Sequence, residues 1–351
     1  MKNSFLNTKL CYLVGLFLIT AAQIAPSQIC VISNNISGSN AINIYNFDGT
    51  YSNTISLLNM ANPNFLATDG TNLYVNYISL GTIGKYTISG SIVNPSLISG
   101  LNTPLGMAIS GTNLFVADVN RIGKYSTTGA IINSNLITNL SNPVGLLVIN
   151  TNLFVTFNST GKIGKYTLDG VEIDASLISN LDSPVGLATD GTNLFVANYG
   201  SHSNPSNPMG TIGEYSSSGT AIAPVLVNGL GGANFISIIG TNIYIVKNEL
   251  SVIGQYTTSG ATVNASLVTT SGHNFSGIAT VPIHNPAPPP AIGITTYSNQ
   301  PVVIWPASSG NYVLQTTTNL ESGNWTTVTN FISVTGAMIT NAPSPSFFRL
   351  Q

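Results

Sequence analysis

Residues 190 to 219 read "DGTNLFVANYGSHSNPSNPMGTIGEYSSSG", and residues 110 to 129 read "SGTNLFVADVNRIGKYSTTG". The two stretches share one skeleton and differ by a polar insert between the apolar run and the "IG-x-Y" element. That skeleton recurs along the chain. "IGKY"-type elements begin at Ile83, Ile122, Ile163, Ile212 and Ile253, in steps of 39, 41, 49 and 41, and a diverged "INIY" sits at Ile42. The apolar element at Asn72 ("NLYV") keeps pace at Asn113, Asn152, Asn193 and Asn242, with "QICV" at Gln28 as the sixth copy. Self-similarity with a period near 40 is the mark of a repeat architecture.

Each period holds four short apolar runs. In one copy they are "GLLVI" (145 to 149), "NLFVT" (152 to 156), "KIGKYT" (162 to 167) and "ASLIS" (175 to 179). Aromatic and β-branched residues dominate them, which favours strands over helices. The Asp-Gly pairs at Asp69 and Asp190 tolerate positive φ and suit tight hairpin turns. No segment of the repeat region sustains an apolar period of 3.6 residues. Four strands per 40 residues predict an all-β fold, a six-bladed β-propeller. Nothing after Ser27 matches a first strand, and "SGIATVP" (276 to 282) supplies one at the far end. This strand is expected to complete the blade begun at Gln28 and so close the ring.

Lys2 and Lys9 precede the apolar run from Leu10 to Ala22, and Ala25 and Ser27 stand where a signal peptidase needs small residues. Residues 1 to 27 therefore read as a signal peptide, the protein as secreted or cell-surface, and the mature chain as free of a membrane span. Cys30 would then be the one mature cysteine, a small buried thiol among Ile29, Val31 and Ile32. Charged residues make up 6% of the chain and the net charge is −2. Nucleic acid is excluded as a partner, because neutralising phosphates takes clustered Lys and Arg. The propeller is assigned to 28 to 282. "PIHNPAPPPAIG" then marks an extended Pro-rich linker, assigned to 283 to 293. Residues 294 to 351 alternate apolar and polar residues at Val302 to Trp305, Tyr312 to Gln315 and Trp325 to Val328, as a small β module does.

Six tyrosines, Tyr45, Tyr86, Tyr125, Tyr166, Tyr215 and Tyr256, hold one position per repeat. A stacking platform is one reading; packing between sheets is the stronger one, because every blade needs the same filler. The preceding Lys85, Lys124 and Lys165 give way to Glu214 and Gln255, as on a solvated stripe. The tripeptide Asn158, Ser159, Thr160 matches a glycosylation acceptor, of consequence only in a eukaryotic host.

"PVGLATDGTNLFVAN" (184 to 198) followed by "TIGEYSSSG" (211 to 219), with "RIGKYSTTG" and "KIGKYTLDG", resembles the repeats of NHL-type propellers and streptogramin lyases. The resemblance covers about residues 28 to 282. It implies a propeller and, in the lyases, an acid at the end of the second strand that shapes a metal-assisted site beside a His. The equivalent positions are Ser33, Tyr77, Asp118, Phe157, Asn198 and Lys247, with one carboxylate among them. Where that family can carry a His, this chain has Leu105, Val144, Val185 or Ser276. The related lactonases need an inward-facing acid on an inner strand, and "LGMAIS", "VGLLVI" and "VGLATD" offer one only at the exit turn. The C-terminal stretch, ending "FFRLQ", is similar to short modules that close secreted bacterial proteins, which implies surface attachment or sorting.

In a propeller the loops between second and third strands share a face with those joining successive blades. Function is expected there. The insert places Asn198, Tyr199 and His202 on this face, joined by Asp118, Arg121, Asn158 and, ahead of the closing strand, His273. A His202 and His273 metal pair lacks a third ligand, so neither metal nor cofactor is expected. The sequence thus points to an exported non-enzymatic scaffold that binds a protein or glycan. The alternative is a divergent lyase-like or lactonase-like enzyme whose metal site has been lost or moved.

Overall fold

A computed structural model of the chain describes residues 28–35, 40–57, 62–200, 210–270 and 273–281, together with short strands between 293 and 350. The repeats fold as six four-stranded antiparallel sheets. Blade 2 comprises Pro63–Thr68, Asn72–Tyr77, Thr82–Thr87 and Ile92–Ile98. Blade 3 runs from Pro104–Ser110 through Asn113–Asp118 and Arg121–Ser126 to Ile131–Ile137. Blades 4 and 5 begin at Pro143 and Pro184, and blade 6 runs from Ala233–Ile239 to Thr262–Thr269. Blade 1 closes the ring as the sequence predicts. Its first strand is His273–Val281, paired antiparallel with Gln28–Asn35 from Gln28 opposite Val281 to Asn35 opposite His273. The fold is therefore an all-β, six-bladed β-propeller, in which neighbouring blades cover each other's apolar faces.

The six inner strands approach one another at the axis. A Cβ added to Gly106 would lie 2.0 Å from the Val144 carbonyl oxygen of blade 4, and one on Gly145 2.0 Å from that of Val185 in blade 5. No side chain fits, which explains why "P-x-G" recurs at the start of these strands. Blades 2 and 6, on either side of blade 1, carry Phe65 and Phe235 at the glycine position. Their rings meet edge-to-face with centroids 4.7 Å apart. One apolar cluster joins Phe65, Met107, Val144, Val185, Phe235 and Ile278, a residue from each of the six inner strands.

The repeated tyrosines are core residues. All six are buried, between 1% and 6% exposed. In "IGKY" the ring folds back over the glycine two residues earlier: a Cβ on Gly123 would lie 2.6 Å from Tyr125 Cε2. The lysines of this element differ from the solvated stripe expected of them. Lys85 Nζ donates to the Thr127 carbonyl (3.0 Å), Lys124 to that of Leu168 (3.1 Å) and Lys165 to that of Ser217 (3.1 Å). Each ammonium reaches a turn of the next blade and lies over an aromatic ring of its own blade, those of Tyr74, Phe115 and Phe154. A long aliphatic stem can be buried while its charge finds carbonyls at the edge of the sheet. Cys30 is fully buried, and burial pushes its thiol up to about 12.

The described strands after residue 285 fall in a separate compact unit. There Gly293–Tyr297 pairs with Gln300–Ile304, Leu314–Thr317 lies between Thr326–Thr327 and Phe347–Leu350, and Ile332–Val334 pairs with Ala337–Ile339. Among the described residues, no helix is long and apolar enough to cross a membrane.

Candidate functional site

Hydrogen bonds fix which loops share a face. The loop leaving blade 2 donates Leu101 N–H to the Gly81 carbonyl in the second-to-third-strand loop of that blade (3.0 Å). Leu140 to Asn120, Leu181 to Gly161 and Leu230 to Gly210 repeat the bond in blades 3 to 5, at 2.8 to 3.1 Å. The two loop types therefore interlock on one side of the propeller. On the opposite side sit the Asp-Gly turns, where Asp69 and Asp190 each accept two backbone N–H groups of their own turn.

The last residue of the second strand lies at the loop-face end of blades 2 to 6, and its chemistry changes from blade to blade. Asp118 is 2% exposed. Its Oδ1 accepts the N–H groups of Asn102 (2.9 Å) and Thr103 (2.8 Å), and its Oδ2 accepts Nε (3.2 Å) and Nη2 (2.8 Å) of Arg121. The carboxylate thus caps the loop entering blade 3. Arg121 also reaches Asn135 Oδ1 (3.2 Å) and is the part of the pair that meets solvent. Asn198, in the same place in blade 5, is also buried. Its Nδ2 donates to Thr211 Oγ1 (3.2 Å), and its Oδ1 has no partner among the described residues. In blade 6 the position belongs to Lys247, which donates to the Ala265 carbonyl and whose pKa burial lowers.

Tyr199 follows Asn198 and is partly exposed. Its N–H donates to the Ser183 carbonyl (3.0 Å), and Gly200 N–H to that of Asp182 (3.2 Å), so the stem of the insert is tied to the loop entering blade 5. The ring lies against Gly232, where an added Cβ would sit 3.1 Å from Tyr199 Cε2 and 3.1 Å from Glu249 Cγ. The hydroxyl donates to Glu249 Oε1 (3.2 Å), in the loop of blade 6. Burial and the neighbouring carboxylate both raise the Tyr199 pKa. Asn158 Nδ2 donates to the Pro184 carbonyl (3.4 Å), linking the blade 4 loop to blade 5.

The predicted face residues accordingly fall into two groups. Asn158, Asn198 and Tyr199 belong to an arc over blades 4, 5 and 6, whereas Asp118 and Arg121 form their own pair on blade 3. His202 lies outside the described residues, and of His273 only the backbone is described. Reading the sequence alone missed Glu249. A signal was present, since it is the one acid in any of the second-to-third-strand loops. It also missed Asn76 and Thr156. Asn76 accepts from the Phe65 amide (2.5 Å) and donates to the Pro104 carbonyl (2.6 Å); Thr156 joins Gly145 to Val185 in the same manner. These are polar residues in otherwise apolar runs, and they tie successive inner strands together. Among the described residues no three His, Cys, Asp or Glu side chains are grouped so as to hold a metal ion.

Closed six-bladed β-propellers with loops on one working face are the class of protein to which this architecture belongs. A chain of a nidogen/laminin complex matches with 17% identity and a TM-score of 0.58, over 73% of this chain and 98% of that one. A protein of unknown function from Bacteroides caccae matches at 15% identity and a TM-score of 0.52, over 72% and 98%. Neighbours also include virginiamycin B lyase from Staphylococcus aureus, 18% identical over 61% and 75%, whose TM-score of 0.46 is too low to argue from. At these identities the likeness is one of fold. No protein-family model and no curated protein sequence matches the chain.

Proposed function

We propose that this chain is an exported, non-enzymatic propeller scaffold that binds a protein or glycan through its loop face. One observation carries the reading. The loops vary where they interlock on that face, from two residues in blade 3 (119 to 120) to twelve in blade 5 (199 to 210). A rigid scaffold with variable loops on one side is the usual arrangement of a recognition surface. Binding is favoured over the lyase-like or lactonase-like alternative by the apolar cluster to which every inner strand contributes a residue, Phe65 and Phe235 among them. A hard cation wants converging oxygen ligands. The fold occurs in a nidogen/laminin complex, so it is compatible with a protein partner.

The direct experiment is a pull-down and a glycan array with the purified chain, repeated after deletion of residues 200 to 209. Loss of the bound partner with an unchanged melting temperature is the expected result. An unchanged binding profile would reject the loop face as the binding surface. Export is tested separately: the secreted protein should begin at Gln28. The C-terminal module is proposed to attach the protein to the cell surface, and truncation at residue 284 should then release the propeller into the medium.

A further inference from the structure

We propose that the seam between blades 5 and 6, on the turn side of the propeller, binds an alkylammonium group: a primary ammonium on an aliphatic stem. The site is separate from the loop face and does not depend on it. The protein fills the corresponding place three times with its own residues. Lys85, Lys124 and Lys165 each hold an ammonium over an aromatic ring of their blade and donate to a carbonyl in the turn of the next, that of Thr127, Leu168 or Ser217. Between blades 3 and 4 an acid completes the arrangement, with Asp169 Oδ1 3.2 Å from Lys124 Nζ.

Blade 5 inverts the charge. Glu214 follows Gly213 as Lys124 follows Gly123, and the strand register sets it between Phe195 and Ala223. The lysines of blades 2 to 4 stand instead beside Asn94, Asn133 and Asp174. The matching carbonyl in blade 6 is that of Thr258, whose N–H is bonded to Thr241 as that of Thr127 is to Thr112, at 2.9 Å in both. Among the described residues this carbonyl accepts no hydrogen bond. An acid and a turn carbonyl thus remain at the one seam where a carboxylate replaces the lysine.

The surroundings favour a cation. Glu214 Oε1 accepts Asn193 Nδ2 at 2.7 Å, and Asn193 N–H donates to Asp190 Oδ1 at 2.8 Å, so two acids meet at one asparagine. Among the described residues no cation pairs with either. Lys165 reaches blade 5 from its other side, at Ser217. All turns on this side of blades 5 and 6 lie within the described residues. The outer strand supplies the apolar half. Ala221–Val227, "AIAPVLV", is the one fourth strand of the six without a polar side chain. Its Ile222 and Val225 are 52% and 55% exposed. Apolar contact for a stem, beside a carboxylate and a carbonyl for its N–H donors, is what an alkylammonium needs.

The test is an NMR titration of the full chain with pentylammonium, with Nα-acetyl-lysine methylamide and with tetramethylammonium. The first two should shift the amides of turns 216–220 and 257–261, with the millimolar affinity of a ligand of few atoms. Tetramethylammonium has the charge without a donor and should bind about tenfold more weakly. Glu214→Gln should keep the fold, since Gln255 holds this position in blade 6, and should weaken both primary ammoniums by about tenfold. Glu214→Lys should abolish binding and raise the melting temperature by about 2 to 4 °C, because it restores the contact made in blades 2 to 4. Glu172→Gln, on the outer strand of blade 4, should change neither. Absence of shifts with both primary ammoniums would overturn the site. So would full affinity in Glu214→Gln, equal binding of tetramethylammonium, or a lower melting temperature in Glu214→Lys. The source is a lysine of a partner protein if the acetylated lysine binds at least as well as pentylammonium, and a small amine if it binds more weakly.

Discussion

Blades 3 and 5 carry nearly the same second strand, "NLFVAD" and "NLFVAN", and differ at its end in a way that decides what each loop can do. In blade 3 all of Asp118 is used: two backbone amides on one oxygen, Arg121 on the other. The chain then turns back within two residues. In blade 5, Asn198 binds Thr211 with its amide nitrogen, leaves its oxygen unmatched among the described residues, and opens into the long loop that begins with Tyr199. A polar side chain whose hydrogen bonds are all made within a short loop holds that loop closed, as Asp118 does.

Between the two lies a control that both blades share. Tyr166 of blade 4 occupies the repeated core position at 2% exposure. Tyr166→Ala should cost about 3 to 5 kcal/mol, the usual loss for truncating a buried aromatic. Chemical denaturation measures it, and a loss under about 1 kcal/mol would mean that the position is not core.

The contrast itself is sharpened by alanine at the two strand ends. Asp118→Ala leaves two amides and a guanidinium without their acceptor and should cost about 2 to 3 kcal/mol. This falls below the range for a fully buried pair because the Arg121 side chain is 31% exposed. Asn198→Ala removes a single hydrogen bond and should cost about 1 kcal/mol. Equal losses would erase the distinction between a closed and an open blade.

A third variant tests the turn of blade 3. Val119 has φ of 50°, where a β-branched residue is strained, and its side chain is exposed. Val119→Gly should gain about 0.5 to 1 kcal/mol, the relief of the left-handed conformation less the entropy that glycine restores to the unfolded chain. A loss of stability in thermal melts would show that the valine side chain supports the turn.

Blade 6 extends the comparison to a cation. Burial lowers the Lys247 pKa in the folded state, so between that value and the ordinary lysine value the unfolded chain binds more protons. Stability should therefore rise with pH across that alkaline window, and Lys247→Met should flatten the rise. Denaturation midpoints compared between neutral and alkaline pH would reveal it.

Most of the architecture was legible in the sequence because a propeller repeats itself. "IGKY" recurs since each blade must pack a tyrosine over a glycine, "P-x-G" since inner strands approach too closely for a side chain, and the strand at 276 to 282 since the ring must close. These demands act within one blade or between neighbours, and the 40-residue period makes them visible. What the sequence could not reveal was which polar groups remain available. Asp118 and Asn198 look alike as the polar ends of matching strands, and Lys85, Lys124 and Lys165 look like surface charge. Their commitments go to backbone atoms in another loop or another blade, and a backbone carbonyl has no sequence signature.

The sequence by itself determined the blade count, the strand order, the closing strand and the side on which the long insert emerges, because periodic burial leaves a periodic pattern. Only the tertiary structure decided that Phe65 and Phe235 meet at the axis, that Asp118 is spent, and that Tyr199 rests on Gly232 beside Glu249. Those partners are distant in sequence, and the curvature of the closed ring is what brings them within contact.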